Sequence, residues 1–155
     1  MTGGALPATR ASGYALRALA VLAAEPSHGP LTIRTIARRE RLPFAFLAKV
    51  AKRLVQAGIL RSRSGVCGGL SLAKPPSRIT LWQVLLVTHG SLLRTECFFY
   101  PERSCRGAAC PLSCWVREEE ERVRTALSRL TLDEVARTLG ASFHGRTNNG
   151  VSRKA

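Results

Sequence analysis

The chain has 155 residues, 45% of them hydrophobic, which is enough for one domain with its own core and short for two. Twenty-four Lys and Arg stand against 10 Asp and Glu, a formal charge of +14, and such an excess points to a polyanion partner, because neutralising phosphates releases condensed counterions. No apolar run approaches roughly 18 residues and Met1–Thr9 carries no basic-then-apolar leader, so no transmembrane helix, no membrane partner and a cytoplasmic location are expected.

Residues 1–11 read as a loose arm rich in Gly, Ala and Thr. From Ser12 an amphipathic pattern begins, with Leu16, Leu19, Ala20 and Ala23 at helical spacing, and Glu25–Pro30 breaks it. Thr32 is placed to cap a short second helix with Ile33, Ile36 and Ala37 inward. After Leu42 the sequence predicts a third helix opened by Pro43, with Leu47, Val50, Ala51 and Leu54 on one face, ended near Ala57 by Gly58. Two short strands follow, Ile59–Arg63 and Leu70–Ala73, joined by the glycine-rich turn Ser64-Gly-Val-Cys-Gly-Gly69. Thr80 caps a fourth helix, Leu81–His89, stopped by Gly90. Pro111 opens a long helix to about Arg129, with Leu112, Val116, Val123, Leu127 and Leu130 as its apolar stripe. Its Glu118, Glu120 and Glu121 are set against Arg122, Arg124 and Arg117 at helical spacings. Thr131-Leu-Asp-Glu134 is a capping box for a last helix to Leu139.

Three helices followed by a hairpin is the order of a winged helix-turn-helix, so the expected fold is mainly α with a small β-hairpin wing and a long dimerisation helix. The expected organisation is a flexible arm (1–11), a winged helix-turn-helix DNA-binding region (12–93), a cysteine loop (94–114), the dimerisation helix with a short C-terminal helix (111–139) and a disordered basic tail (140–155). The long helix packs either on a second copy or on its own domain; the homodimer is the expectation. No paired carboxylates with a matching His, no nucleophile elbow and no nucleotide loop occur, which speaks against an enzyme.

Four of the five cysteines fall in the spacing Cys97-x7-Cys105-x4-Cys110-x3-Cys114. Structural zinc sites usually bring two tight C-x2-C pairs, whereas these gaps suit a loop wrapped around a larger inorganic body. Cys110 precedes Pro111 at a helix N-terminus, where the helix dipole favours an anionic cluster, and Cys114 lies one turn further on the same face. Spacing alone leaves zinc and an iron–sulfur cluster level.

A resemblance to a known family bears on that choice. Gly13-Tyr-Ala-Leu-Arg-Ala-Leu19, Ile36-Ala37, Phe46-Leu47-Ala-Lys49, Leu54-Val-Gln-Ala-Gly58-Ile-Leu60, the wing Ser64-Gly-Val-Cys-Gly-Gly-Leu-Ser-Leu-Ala-Lys-Pro-Pro76, Ile79-Thr-Leu81, Thr95-Glu-Cys97, Cys110-Pro-Leu112 and Leu130-Thr-Leu-Asp-Glu134 together resemble the IscR/NsrR (Rrf-two-type) regulators. The resemblance implies a dimeric repressor whose affinity for double-stranded operator DNA follows the state of a [4Fe-4S] or [2Fe-2S] cluster. Nitric oxide, redox stress or iron–sulfur status would be the signal. Cys97, Cys105 and Cys110 match its cluster ligands. Where relatives carry an Asp in the first helix this chain has Gly13, and where others carry a His it has Ser113, so Cys114 is the expected fourth ligand. On the DNA side the resemblance places Pro43, Ala45, Ala48, Lys49, Lys52 and Arg53 on the reading helix and Arg61, Arg63 and Ser64 at the wing. Ala48 replaces a polar side chain common there, and Cys67 replaces a wing glycine. A zinc-stabilised or metal-free winged-helix DNA-binding protein without cluster sensing is the alternative.

Overall fold

The computed structural model describes residues 9–25, 29–65, 67–90 and 110–144. Helix α1 (Arg10–Ala24) begins two residues before the sequence pattern suggests, because the Thr9 hydroxyl accepts a hydrogen bond from the Ser12 N–H and caps the first turn. Ala15, Ala18, Leu19 and Leu22 form its buried face. The helix is the axis of the fold: α2, α3, α4, α6 and the second strand of the hairpin all pack on it.

Helix α2 (Ile33–Glu40) starts at the expected Thr32 cap and buries Ile36 and Ala37. It stops on Arg41, whose backbone is left-handed at φ 51° and whose N–H donates to the carbonyls of Ala37 and Arg38. A left-handed non-glycine residue costs about 1 kcal/mol. The closing hydrogen bonds and the burial of Leu42 directly after the turn offset it. Helix α3 (Phe44–Gln56) follows with Pro43 as its cap rather than its first residue. All four residues expected inward, Leu47, Val50, Ala51 and Leu54, are buried.

Strands β1 (Leu60–Arg63) and β2 (Gly69–Leu72) pair antiparallel, with Leu60 opposite Leu72 and Arg63 opposite Gly69. The far edge of β2 is tied down as well. Leu31 and Leu70 exchange both backbone hydrogen bonds, at 2.9 and 2.7 Å, so the wing is fixed to the entry of α2. A 3₁₀ turn at Pro76–Arg78 leads to α4 (Leu81–His89), where Thr80 and Gln83 form a complete capping box. The sequence pattern points to Thr80 alone; Gln83 completes the box by accepting from the Thr80 N–H.

Helices α5 (Pro111–Arg129) and α6 (Leu132–His144) complete the chain. Their junction returns to the start of α4: the Leu132 N–H donates to the Ile79 carbonyl at 2.8 Å and the Leu81 N–H to the Leu130 carbonyl at 2.9 Å. Ile79 and Leu132 are fully buried at this crossing. The Thr131–Glu134 capping box forms as expected. Helix α6, however, does not stop at Leu139. It runs through Gly140 to His144, into the segment expected to be a disordered tail. One glycine inside a helix costs only about 1 kcal/mol, and packing of α6 along α1 outweighs it.

The main core cluster has Leu19, Ile36, Leu47, Leu54, Ile79, Val84 and Leu132 as its largest buried side chains, and a smaller cluster around Leu85 and Leu127 joins α4 to α5. No helix among the described residues is long and apolar enough to cross a membrane. The architecture is the expected one, mainly helical with a two-stranded wing.

Candidate nucleic-acid interface and cysteine site

The core face of α3 fixes what the helix turns outward. Pro43, Ala45, Lys49 and Lys52 are exposed and Ala48 is half-covered, so these five residues expected on the reading helix lie on its open side. Arg53 is exposed too, but its Nη1 reaches the Thr88 carbonyl at 3.5 Å and so points along the surface to the C-terminal turn of α4. That carbonyl sits beside a buried polar contact, where the hydroxyls of Ser12 and Thr88 lie 3.0 Å apart and join α1 to α4.

On the wing Arg61, Arg63 and Ser64 are exposed. Side chains alternate along a strand, so Arg61 and Arg63 share one face of the hairpin while Leu60 turns into the core. The backbone around Gly68 and Gly69 leaves no room for a side chain. A Cβ on Gly68 would lie 2.4 Å from the Arg63 carbonyl oxygen, and one on Gly69 would lie 2.6 Å from the Leu31 backbone. Cys67 is exposed in this turn.

Charge is sharply segregated along the chain. From Arg41 to Gly90 the chain has eight Lys and Arg and no Asp or Glu. The two carboxylates of the preceding helices are taken up internally: Glu40 pairs with Arg17 at 2.8 Å and Glu25 with Arg39 at 2.8 Å. Arg34, Arg38, Arg41, Lys49, Lys52, Arg61 and Arg63 form no ion pair among the described residues. A second feature is Phe44. It is 50% exposed in the first turn of α3, with the Arg34 guanidinium carbon 5.8 Å from its ring centroid.

The cysteine site is only partly within the described residues: Cys97 and Cys105 lie outside them. Cys110 is the N-cap residue of α5 and Cys114 sits one turn on, both half-buried. The Cys114 N–H donates to the Cys110 carbonyl at 3.1 Å, which fixes the two residues on one face. The Arg117 Nη2 approaches the Cys114 sulfur at 3.5 Å, a cation set against it. Ser113 donates its hydroxyl to the Cys110 carbonyl at 2.9 Å, so it holds the helix start. At Gly13 a Cβ would meet nothing within 4 Å. No group of three His, Cys, Asp or Glu comes together among the described residues. Two thiols on one turn with a neighbouring cation supply half of a four-donor set for zinc or for an iron–sulfur cluster, so the donor chemistry fits either.

Residues 8–138 match the family described as Rrf2, iron-dependent transcriptional regulator. The chain belongs to the Rrf2 family. It is a DNA-binding transcription regulator of a non-enzymatic family. Among its relatives is an HTH-type transcriptional regulator of Synechocystis, 34% identical over 129 residues that cover 82% of this chain and 85% of the relative. Another is the HTH-type regulator NsrR of Shouchella clausii, 29% identical over 82% of this chain and 86% of the relative. Of solved structures, CymR, the global cysteine regulator of B. subtilis, superposes with a TM-score of 0.68 at 24% identity over 86% of this chain and 98% of its own, a likeness of fold. In this Rrf2 regulator the exposed basic residues lie on α3 and the wing, and Cys110 and Cys114 lie at the start of α5.

Proposed function

We propose that this Rrf2 regulator is a cytoplasmic homodimeric repressor whose operator affinity is set by an iron–sulfur cluster held by Cys97, Cys105, Cys110 and Cys114. The observation that carries the reading is the Cys110–Cys114 pair at the start of α5, with Arg117 against the second sulfur. A bound cluster supplies a centre that nitric oxide, oxidants or iron scarcity can alter or remove. Everything else is done by the chain's own residues. Cys110 and Cys114 tie a change at the sulfurs to the first turn of α5. Leu127 and Val123 of that helix pack against Leu85, Leu81 and Trp82 of α4. From α4 the Thr88 end contacts Ser12 of α1 and Arg53 of α3. A cluster-dependent affinity then requires two settings of this chain of contacts that bind DNA unequally.

Dimerisation through α5 is supported by what that helix leaves uncovered. Only Leu127 is buried, while Leu112, Val116 and Val123 are half-covered and Trp115 is 58% exposed. In the dimer, two α3–wing surfaces face two half-sites about one helical turn apart. Pro43, Ala45, Ala48, Lys49 and Lys52 line the major-groove side, and Arg61, Arg63 and Ser64 the flanking minor groove.

The test is anaerobic purification with a visible spectrum and iron and sulfide counts per chain, before and after nitric oxide. Brown protein whose bands bleach, with operator affinity changing in step, is the expected result. Colourless protein holding zinc or no metal after anaerobic reconstitution overturns the cluster reading and leaves a winged-helix DNA binder.

A further inference from the structure

We infer that Phe44, steadied by Arg34, is a specificity-determining residue that reads the 5-methyl group of a thymine in the major groove. The inference deepens the DNA-binding reading above and rests on it.

Two aromatic residues stand exposed on α3, and their settings differ. Phe46 is 39% exposed, but its ring meets Tyr14 edge-on, with centroids 5.3 Å apart and planes at 87°, so it serves the contact between α1 and α3. Phe44 meets no other ring among the described residues. Half its surface is open in the first turn of α3, the part of a recognition helix that approaches base edges. An exposed phenyl ring carries no hydrogen-bonding group, so what it can distinguish on a base edge is apolar. In the major groove the apolar feature is the thymine methyl.

The surroundings select the same occupant. Ala45 and Ala48, beside Phe44 on the outward side, project less far than the phenyl ring. Arg34 stands by the ring, Arg41, Lys49 and Lys52 are exposed on the same stretch of chain, and no carboxylate occurs between Arg41 and Gly90. An apolar ring among unpaired cations suits a base edge between phosphates better than it suits an apolar protein or ligand. The Arg34 guanidinium carbon lies 5.8 Å from the ring centroid, within cation–π range, and the exposed guanidinium keeps donors for a neighbouring phosphate.

The experiment begins by selecting binding sites from a random-sequence duplex pool with the wild-type protein. Each thymine of the selected site is then replaced by uracil, which lacks only the methyl. Wild type is expected to lose affinity about fourfold at one position per half-site, the worth of one buried methyl at about 0.8 kcal/mol. Phe44→Ala is expected to bind more weakly and to show no further loss at that position. Phe44→Leu, which keeps an apolar side chain, is expected to retain part of the response. Circular dichroism confirms that the variants fold, as an exposed side chain should allow. Should Phe44→Ala keep the wild-type affinity and thymine profile, the inference is overturned while DNA reading by α3 stands. Should the wild-type protein select no sequence, the parent reading fails and this one with it.

Discussion

Adding one methyl group to Gly69 is expected to cost about 2–4 kcal/mol, whereas the same change at Gly13 is expected to stabilise the fold. Gly69 has φ +155°, and its added Cβ would meet Leu31 backbone carbon and oxygen at 2.6 Å. Those atoms cannot move aside, because Leu31 is pinned to Leu70 by both of its hydrogen bonds. Backbone strain of this kind costs about 1–3 kcal/mol and an overpacked contact about 1–3 more, less whatever the hairpin recovers by shifting. At Gly13 a Cβ meets nothing within 4 Å inside a regular helix, so Gly13→Ala should gain about 0.5–1 kcal/mol. Urea unfolding followed by tryptophan fluorescence and by circular dichroism reads both variants on one scale. For a chain of this length, 3 kcal/mol corresponds to a fall of about 6–12 °C in Tm. The reasoning is refuted if Gly69→Ala is as stable as wild type, or if Gly13→Ala loses as much as Gly69→Ala.

Three further outcomes follow from the geometry. Replacing Arg61 and Arg63 together by Ala should lower DNA affinity and reduce the slope of log affinity against log salt by about four, two contacts from each protomer of the proposed dimer, checked by titration at several salt concentrations; an unchanged slope removes both from the interface. The Glu134 carboxylate accepts from the Thr131 N–H at 2.7 Å and from its hydroxyl, and these hydrogen bonds hold its pKa below the usual value. A carboxylate lowered in the folded state stabilises it above the unfolded pKa and loses that contribution as pH falls through the folded one. The difference in urea midpoint between pH 7 and pH 3 should therefore be smaller in Glu134→Gln than in wild type; an equal difference would show that the cap contributes nothing to acid sensitivity. Val116→Glu, on the half-covered stripe of α5, should convert the dimer to a folded monomer by light scattering and weaken operator binding, and a variant that stays dimeric would place the interface elsewhere.

Local rules made much of this protein legible from its residues. Thr32, Thr80 and Thr131 announce helix starts, because a hydroxyl at the cap satisfies an N–H that no other group in the chain can reach. The spacing of Leu47, Val50, Ala51 and Leu54 settles which side of α3 faces the core, and so which side is left for a partner. Gly58 and Gly90 end helices with positive φ, as their lack of a Cβ permits. The family followed from the same run of residues.

What the sequence left open was decided by contacts between distant segments. That α6 passes Gly140 depends on its packing along α1, which no local pattern encodes. Arg53 sits on the outward side of α3, yet the Thr88 carbonyl of α4 draws its guanidinium, and only the tertiary arrangement brings the two together. On α5 the charges pair as Glu119–Arg122 and Glu121–Arg124, one of several registers that helical spacing allows. Phe44 gives no periodic signal of its own. It becomes visible only when Phe46 is seen packed on Tyr14 and Arg34 is seen over the remaining open ring. Sequence fixes what a residue can do within a turn or two of itself, through capping, φ preference and apolar spacing. Which of its possible partners it meets is a matter of how the helices cross.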